Sequence, residues 1–314
     1  MIGYLIKRLL QLIPVFFGVL TITFIIMRVT PGDPVANMIG ISQGVDPEFY
    51  ELKTKELGLD KPIFIQYFIF LSRLFQGDLG RSLLTGRPVL LEIGEALPLT
   101  LAIVIASLLI AVPLGVGLGS FAALRRKSFF DNSSMVAALA GVSVPDFWLG
   151  LILALIAFQY FGFSPTSGPI GPQRMILPVL TLGLRTAGVF ARLSRSAVLE
   201  IIGQDYVRAA KGRGIPSKRI TYRYIIKNAL SPIITVLGIY FGILIVGAFF
   251  VEVVFAWPGI GRLAVDAILE RDYPVVQGVV MVTSIIFVLS NLVVDIIYVY
   301  LDPRVQLQKV VALR

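Results

Sequence analysis

The chain has 314 residues, is 56% hydrophobic with a mean hydropathy of +0.86, and carries only 15% charged residues, a balance too apolar for an ordinary soluble domain. It has no cysteine and no histidine, which excludes thiolate and imidazole chemistry, Cys/His metal sites and disulfides. The formal net charge of +9 does not imply nucleic acid, because the charge follows membrane sidedness instead.

The apolar residues gather in runs of about 20, the length with which a helix crosses roughly 30 Å of hydrocarbon. In lipid such runs are helices, since no water satisfies their backbone polar groups. Spans are predicted at 9–28, 98–121, 133–161, 176–195, 229–251 and 275–301, which makes the fold class an all-α polytopic membrane protein. Lys7 and Arg8 ahead of the first run resemble the start of a signal peptide. The run is long for a signal core, however, and no small-residue cleavage site follows, so it reads as a retained N-terminal helix over 1–29.

With the N-terminus inside, the inner segments hold 17 basic residues against four acids, and the outer ones nine against thirteen. The positive-inside rule therefore predicts that both termini, including the tail 302–314, are cytoplasmic. Outside, 30–97 is the one segment large enough for extramembrane structure. Its turn formers Pro31, Gly32, Asp33 and Pro34 and its amphipathic pieces Pro47 to Leu57 and Pro62 to Phe75 predict a cap of small helices rather than a second domain.

The predicted membrane core runs over 98–301. In its first span, Pro113 with Gly115, Gly117 and Gly119 either loosens the helix or lets a neighbour pack closely. In the next, Pro145 should bend the helix, and Asp146 follows it at mid-span. Arg185 lies at similar depth in the span after, and an isolated charge there costs about 3 kcal/mol or more. Two readings stand: the two residues pair and hold the spans together, or they line a pathway. Asp295 is a further acid within the last span.

The segment Glu200 to Pro232, EIIGQDYVRAAKGRGIPSKRITYRYIIKNALSP, is the most informative. Asp205 can cap a short helix through Arg208, Ala209 and Ala210, which Gly212 and Gly214 can end. Pro216 stops it, and a second start at Ser217 sets Ile220, Tyr224 and Ile225 on one face among basic residues. The loop reads as helix, glycine hinge and second helix rising into the fifth span, with an Ala-Ala-Gly surface of almost no bulk. Attraction to anionic headgroups explains the charges, at about 1 kcal/mol each, but not the alanines and glycines. In the outer loop 252–274, AWPGIGRLAVDAILERDYP combines a turn at Pro258, Gly259 and Gly261 with an amphipathic helix from about Arg262 to Leu269, and Trp257 suits the headgroup boundary.

Ala209, Ala210 and Gly214 resemble the EAA loop of permease subunits in bacterial ABC importers. Two departures, Arg208 in place of the motif's glutamate and the distance of Pro232 from Gly214, are similar to the dipeptide and oligopeptide (peptide/nickel) branch. The stretches LIKRLLQLIPVFFGVLTITFIIMRVTPGDP, VSVPDFWLG, VEVVFAWPGIGRLAVDAILERDYPVVQG and YLDPRV resemble that branch as well, in particular its B-type subunit, so the likeness spans nearly the whole chain. It implies six helices of the type I importer architecture in a bacterial or archaeal plasma membrane. It implies a homologous second permease as heterodimer partner, two cytoplasmic ATPase subunits that hold ATP and Mg, and an extracytoplasmic binding protein. Asp205, Arg208, Ala209, Ala210, Gly212 and Gly214 would couple to the ATPase. Pro145, Asp146, Trp148, Arg185 and Asp295 would line or gate the pathway, and Trp257, Pro258, Gly259 and Gly261 would form an outer gate near the docked binding protein. The cargo implied is a short peptide, with nickel chelates, glutathione or oligosaccharides as alternatives.

No GxxxxGK[ST] phosphate loop is present, so any ATP must be hydrolysed by a partner, and this chain needs no cofactor of its own. An intramembrane enzyme would need a nucleophile and base or a metal site, and no lysine lies in a span. An ion-coupled secondary transporter is the more serious rival, against which the basic Ala-Ala-Gly loop argues.

Overall fold

The computed structural model describes residues 2–29, 47–56, 58–164, 166 and 170–301. Eleven helices appear among them: α1 (Ile2–Val29), α2 (Pro47–Glu56), α3 (Ile63–Phe75), α4 (Val89–Leu124), α5 (Phe129–Ser143), α6 (Asp146–Phe161), α7 (Pro172–Ile202), α8 (Asp205–Gly212), α9 (Ser217–Val254), α10 (Ile260–Glu270) and α11 (Tyr273–Leu301). No strand forms among the described residues, only an isolated bridge between Arg81 and Pro88. By length and composition α4, α7, α9 and α11 each suffice to cross a membrane, and α5 with α6, bent by 104° at the break between them, together have the length and composition of a fifth. Helix α1 is 28 residues long, and its apolar stretch Ile13–Val29 is shorter than these. The signature TPGDP and the tail 302–314, which holds all of YLDPRV but its first two residues, lie outside the described residues, as does the Asp295 side chain.

The chain divides into two compact units, 1–100 with 258–288 and 101–257 with 289–314. In the first, the small helices expected between spans one and two form at α2 and α3. Tyr67 of α3 shares a 2.6 Å hydrogen bond with the Thr21 hydroxyl of α1, and the Phe24 ring packs on Tyr67 and Phe70. Asp272 is buried and caps α11: its carboxylate accepts from the Ser82 hydroxyl, from the Leu83 N–H at 3.0 Å and from the Val275 N–H at 3.4 Å. Helix α10 begins at Gly259, where the Ile260 N–H donates to the Thr100 hydroxyl at 2.8 Å.

In the second unit α7 is the hub, packed against α5, α6 and α9. Small residues decide how close its neighbours come. A Cβ on Gly115 would lie 2.5 Å from the Ala187 carbonyl, and one on Gly119 2.1 Å from that of Ala191, whereas one on Gly117 would meet nothing within 4 Å. Gly115 and Gly119 thus serve close packing of α4 on α7; Gly117 faces open space. On another side of α7 a Cβ at Gly188 would come within 2.7 Å of the Ala138 carbonyl of α5.

The third predicted span departs from expectation. Pro145 forces the residue before it out of helical geometry, and Val144 accordingly sits at φ −83, ψ 128. Helix α5 ends at Ser143, Pro145 takes the N-cap position of α6, and the two helices meet at 104°. The proline breaks the span instead of bending it, and Asp146 opens a new helix.

Candidate functional site: the basic loop and the intramembrane ion pair

The loop after α7 folds much as its residue order dictates, with corrections in detail. Gln204, not Asp205, occupies the N-cap of α8. Asp205 is the first helical residue and makes an exposed 3.3 Å contact with Arg208, its negative charge suiting that end of the helix. At the other end only Gly214 is left-handed, at φ +71. The Ile215 N–H donates to the Ala210 carbonyl and the Gly214 N–H to the Lys211 carbonyl, the double closure of a Schellman cap. Gly212 lies inside the helix and has no such role.

The two alanines part company. Ala209 is exposed, whereas Ala210 is buried together with Val207. These two join Ala123 of α4, Ala197 and Val198 of α7, and Ile220, Ile225 and Ala229 of α9 in one apolar cluster. The bulk-free patch expected over Ala209, Ala210 and Gly214 is therefore not a single outward surface. Ala210 seats α8 on the ends of three spans, and Asp205, Arg208, Ala209, Gly212 and Gly214 form the outward face. Tyr206 adds a polar fastening, its hydroxyl accepting from the Asn228 amide at 3.1 Å, while that amide also donates to the Tyr224 carbonyl.

Helix α9 starts at Ser217, directly after Pro216, and passes through a wider i→i+5 turn at Ile220–Ile226 before regular helix resumes at Lys227. That turn buries Ile220 and Ile225 on the cluster.

Deeper along the spans, Arg185 Nη1 donates to Asp146 Oδ2 at 2.9 Å, so the two charges read as level do meet. The match is incomplete: Asp146 Oδ1 and Arg185 Nε are buried and have no partner among the described residues. A Cβ on Gly247 of α9 would lie 3.7 Å from Asp146 Oδ2, which places α9 beside the pair. Trp148, two residues on, is half exposed.

At the far end of α9 the Trp257 reading is overturned. The side chain is 1% exposed and sits at no interface with headgroups. The turn there falls earlier than expected: Ala256 is left-handed at φ 48, and the Trp257 N–H donates to the Glu252 carbonyl at 2.8 Å. Alanine in place of glycine hid this cap from sequence reading. Pro258 is partly buried, and Gly259 and Gly261 are buried at the start of α10.

Sequence reading also missed a second ion pair. Arg195 near the end of α7 grips Asp131 in the first turn of α5, Nε to Oδ1 at 2.6 Å and Nη2 to Oδ2 at 2.9 Å. The signal was present as an acid one turn into a span, three residues after a serine that caps it.

Comparison with known proteins gives a consistent picture. The family described as "Binding-protein-dependent transport system inner membrane component" matches residues 115–307, and its N-terminal counterpart matches residues 1–104. The chain is 39% identical to the di/tripeptide transport system permease protein DppB of Pseudomonas aeruginosa (strain UCBPP-PA14), over 98% of this chain and all of that one. It is also 39% identical to the glutathione transport system permease protein GsiC of Escherichia coli (strain CFT073), over 98% and 99% of the two chains. The crystal structure of an amino acid ABC transporter with histidines superposes with a TM-score of 0.51 at 18% identity, covering 75% of this chain and 98% of that one, which is a likeness of fold.

Proposed function

Because this chain belongs to the family of binding-protein-dependent transport system inner membrane components, a multi-pass inner-membrane family, we propose that it forms half of the pathway of an ATP-driven importer of short peptides. A homologous permease supplies the other half as a heterodimer partner. Two ATPase subunits bind ATP and Mg on the cytoplasmic side, where both termini and the basic loop lie, and a binding protein delivers cargo outside. The observation that carries the reading is the seating of α8, whose buried face is set into the ends of α4, α7 and α9 while its other face stays open. Any body that grips Asp205, Arg208, Ala209 and Gly212 moves three spans at once.

Closure of the ATPases would draw the two copies of this lever together and open the pathway outward, and hydrolysis would reverse the change. In this scheme Asp146, Arg185 and Trp148 face the pathway, Pro145 marks the break at which one wall moves, Asp295 is a further pathway acid, and Trp257, Pro258, Gly259 and Gly261 serve as the outer gate. Glutathione is the second reading for cargo, favoured by a glutathione permease at the same 39% identity as the di/tripeptide one.

The test is uptake into proteoliposomes holding the whole complex with its binding protein. Uptake of a radiolabelled dipeptide should require ATP inside, survive an ionophore, and be competed by di- and tripeptides more strongly than by glutathione. Uptake that persists without nucleotide hydrolysis and collapses with the ion gradient would overturn the importer reading, and stronger competition by glutathione would reassign the cargo.

A further inference from the structure

Two carboxylate–arginine pairs tie the broken span to α7, and they differ in completeness. The pair nearer the basic loop is saturated. Asp131 is 1% exposed and accepts both fork N–H groups of Arg195 as well as the Lys127 N–H at 3.0 Å. Its own N–H donates to the Ser128 hydroxyl. A bidentate guanidinium–carboxylate contact fixes orientation as well as distance. Lys127 is held at φ 63, a left-handed conformation unusual for a side-chain-bearing residue, so the same carboxylate also fixes the turn from α4 into α5. The pair at Asp146 and Arg185 has one contact and two idle buried atoms.

Position gives this difference a consequence. Arg195 lies two residues before Ala197 and three before Val198, the residues of α7 on which α8 is seated. Ten residues back along α7, about 15 Å, is Arg185. Asp131 opens α5, and the far end of α5 is the 104° break at which Asp146 begins. A displacement delivered by α8 to the end of α7 therefore reaches α5 through a contact with no slack, and the next joint free to yield is the break at Val144 and Pro145.

We propose that Asp131 and Arg195 act as a rigid link that carries the movement of α8 into the broken span, which makes both of them positioning residues for Asp146 and Arg185 in the transport cycle. The link rests on the reading of α8 as the ATPase lever. It adds that this lever moves the wall holding Asp146 through one ion pair, and that losing the pair separates hydrolysis from transport.

The experiment measures ATP hydrolysed per substrate delivered by the reconstituted complex, for the wild type, Asp131→Asn, Arg195→Lys and the exchange Asp131→Arg/Arg195→Asp. Arg195→Lys keeps the charge but loses the fork, and is the variant to rely on should Asp131→Asn not assemble. The expected result is binding-protein-stimulated hydrolysis within about twofold of wild type in Arg195→Lys, transport reduced at least tenfold, and a partial return of transport in the exchange variant. Hydrolysis and transport falling together in Arg195→Lys would reduce the pair to a packing element and overturn the proposal, as would an unchanged ratio. Wild-type transport that does not depend on ATP would instead sink the lever reading itself, so the two failures are distinguishable.

Discussion

Asp131 with Arg195 and Asp146 with Arg185 join the same two parts of the fold, yet one contact is finished and the other is not. The first has a fully buried carboxylate with three donors on it. The second leaves Asp146 Oδ1 and Arg185 Nε buried without partners among the described residues, a state that costs about 1–3 kcal/mol for each group. The complete pair holds its elements together, whereas the open pair can be exchanged for another arrangement at little cost.

The largest effect is expected from removing a charge from the complete pair. Asp131→Asn strands the Arg195 fork and loosens the Lys127 turn, and should cost about 3 kcal/mol or more, read as a clear drop in the melting temperature of the detergent-solubilised complex. Next is the contact lying between the two pairs. Gly188→Val places atoms within 2.7 Å of the Ala138 carbonyl and 3.2 Å of Val142 Cγ2, and should destabilise by about 1–3 kcal/mol by forcing α5 from α7. Asp146→Asn takes from the partly exposed Arg185 its one ion-pair contact and should cost about 1–2 kcal/mol, less than Asp131→Asn, while transport falls at least tenfold. A stability loss equal to that of Asp131→Asn would erase the distinction between the pairs. The smallest effect is expected at Gly117→Ala, within about 0.5 kcal/mol of wild type, where the new methyl meets open space. Gly119→Ala, 2.1 Å from a backbone carbonyl, should be visibly destabilised in the same melting assay.

Run length alone located α4, α7, α9 and α11, because the hydrocarbon thickness leaves little choice. The start of α9 at Ser217 followed from Pro216, and the meeting of Asp146 with Arg185 followed from equal depth in sequential, antiparallel spans. What escaped reading were features that depend on which way a side chain faces. Ala210 and Ala209 are chemically identical, and only the seating of α8 separates the buried one from the exposed one. Asp131 looked like a loop acid because it stands at the end of a run, and nothing local says that Arg195, 64 residues on, will reach it. Trp257 was drawn to the headgroups by its amphipathic character, but a left-handed alanine turns it inward. Pro145 was legible as a disturbance, but its effect on Val144 is what made the disturbance a break.

The proposed import cycle depends on α8 being gripped by a separate ATPase. The direct measurement is disulfide crosslinking between Ala209→Cys and a single cysteine in the groove of the ATPase subunit, possible because this chain has no cysteine of its own. A crosslink should form at Ala209 and change in yield when ATP is added, while Ala210→Cys, facing the apolar cluster, should form none. Full transport with no crosslink at Ala209, Arg208 or Gly212 in any nucleotide state, or a stronger crosslink at Ala210 than at Ala209, would contradict it.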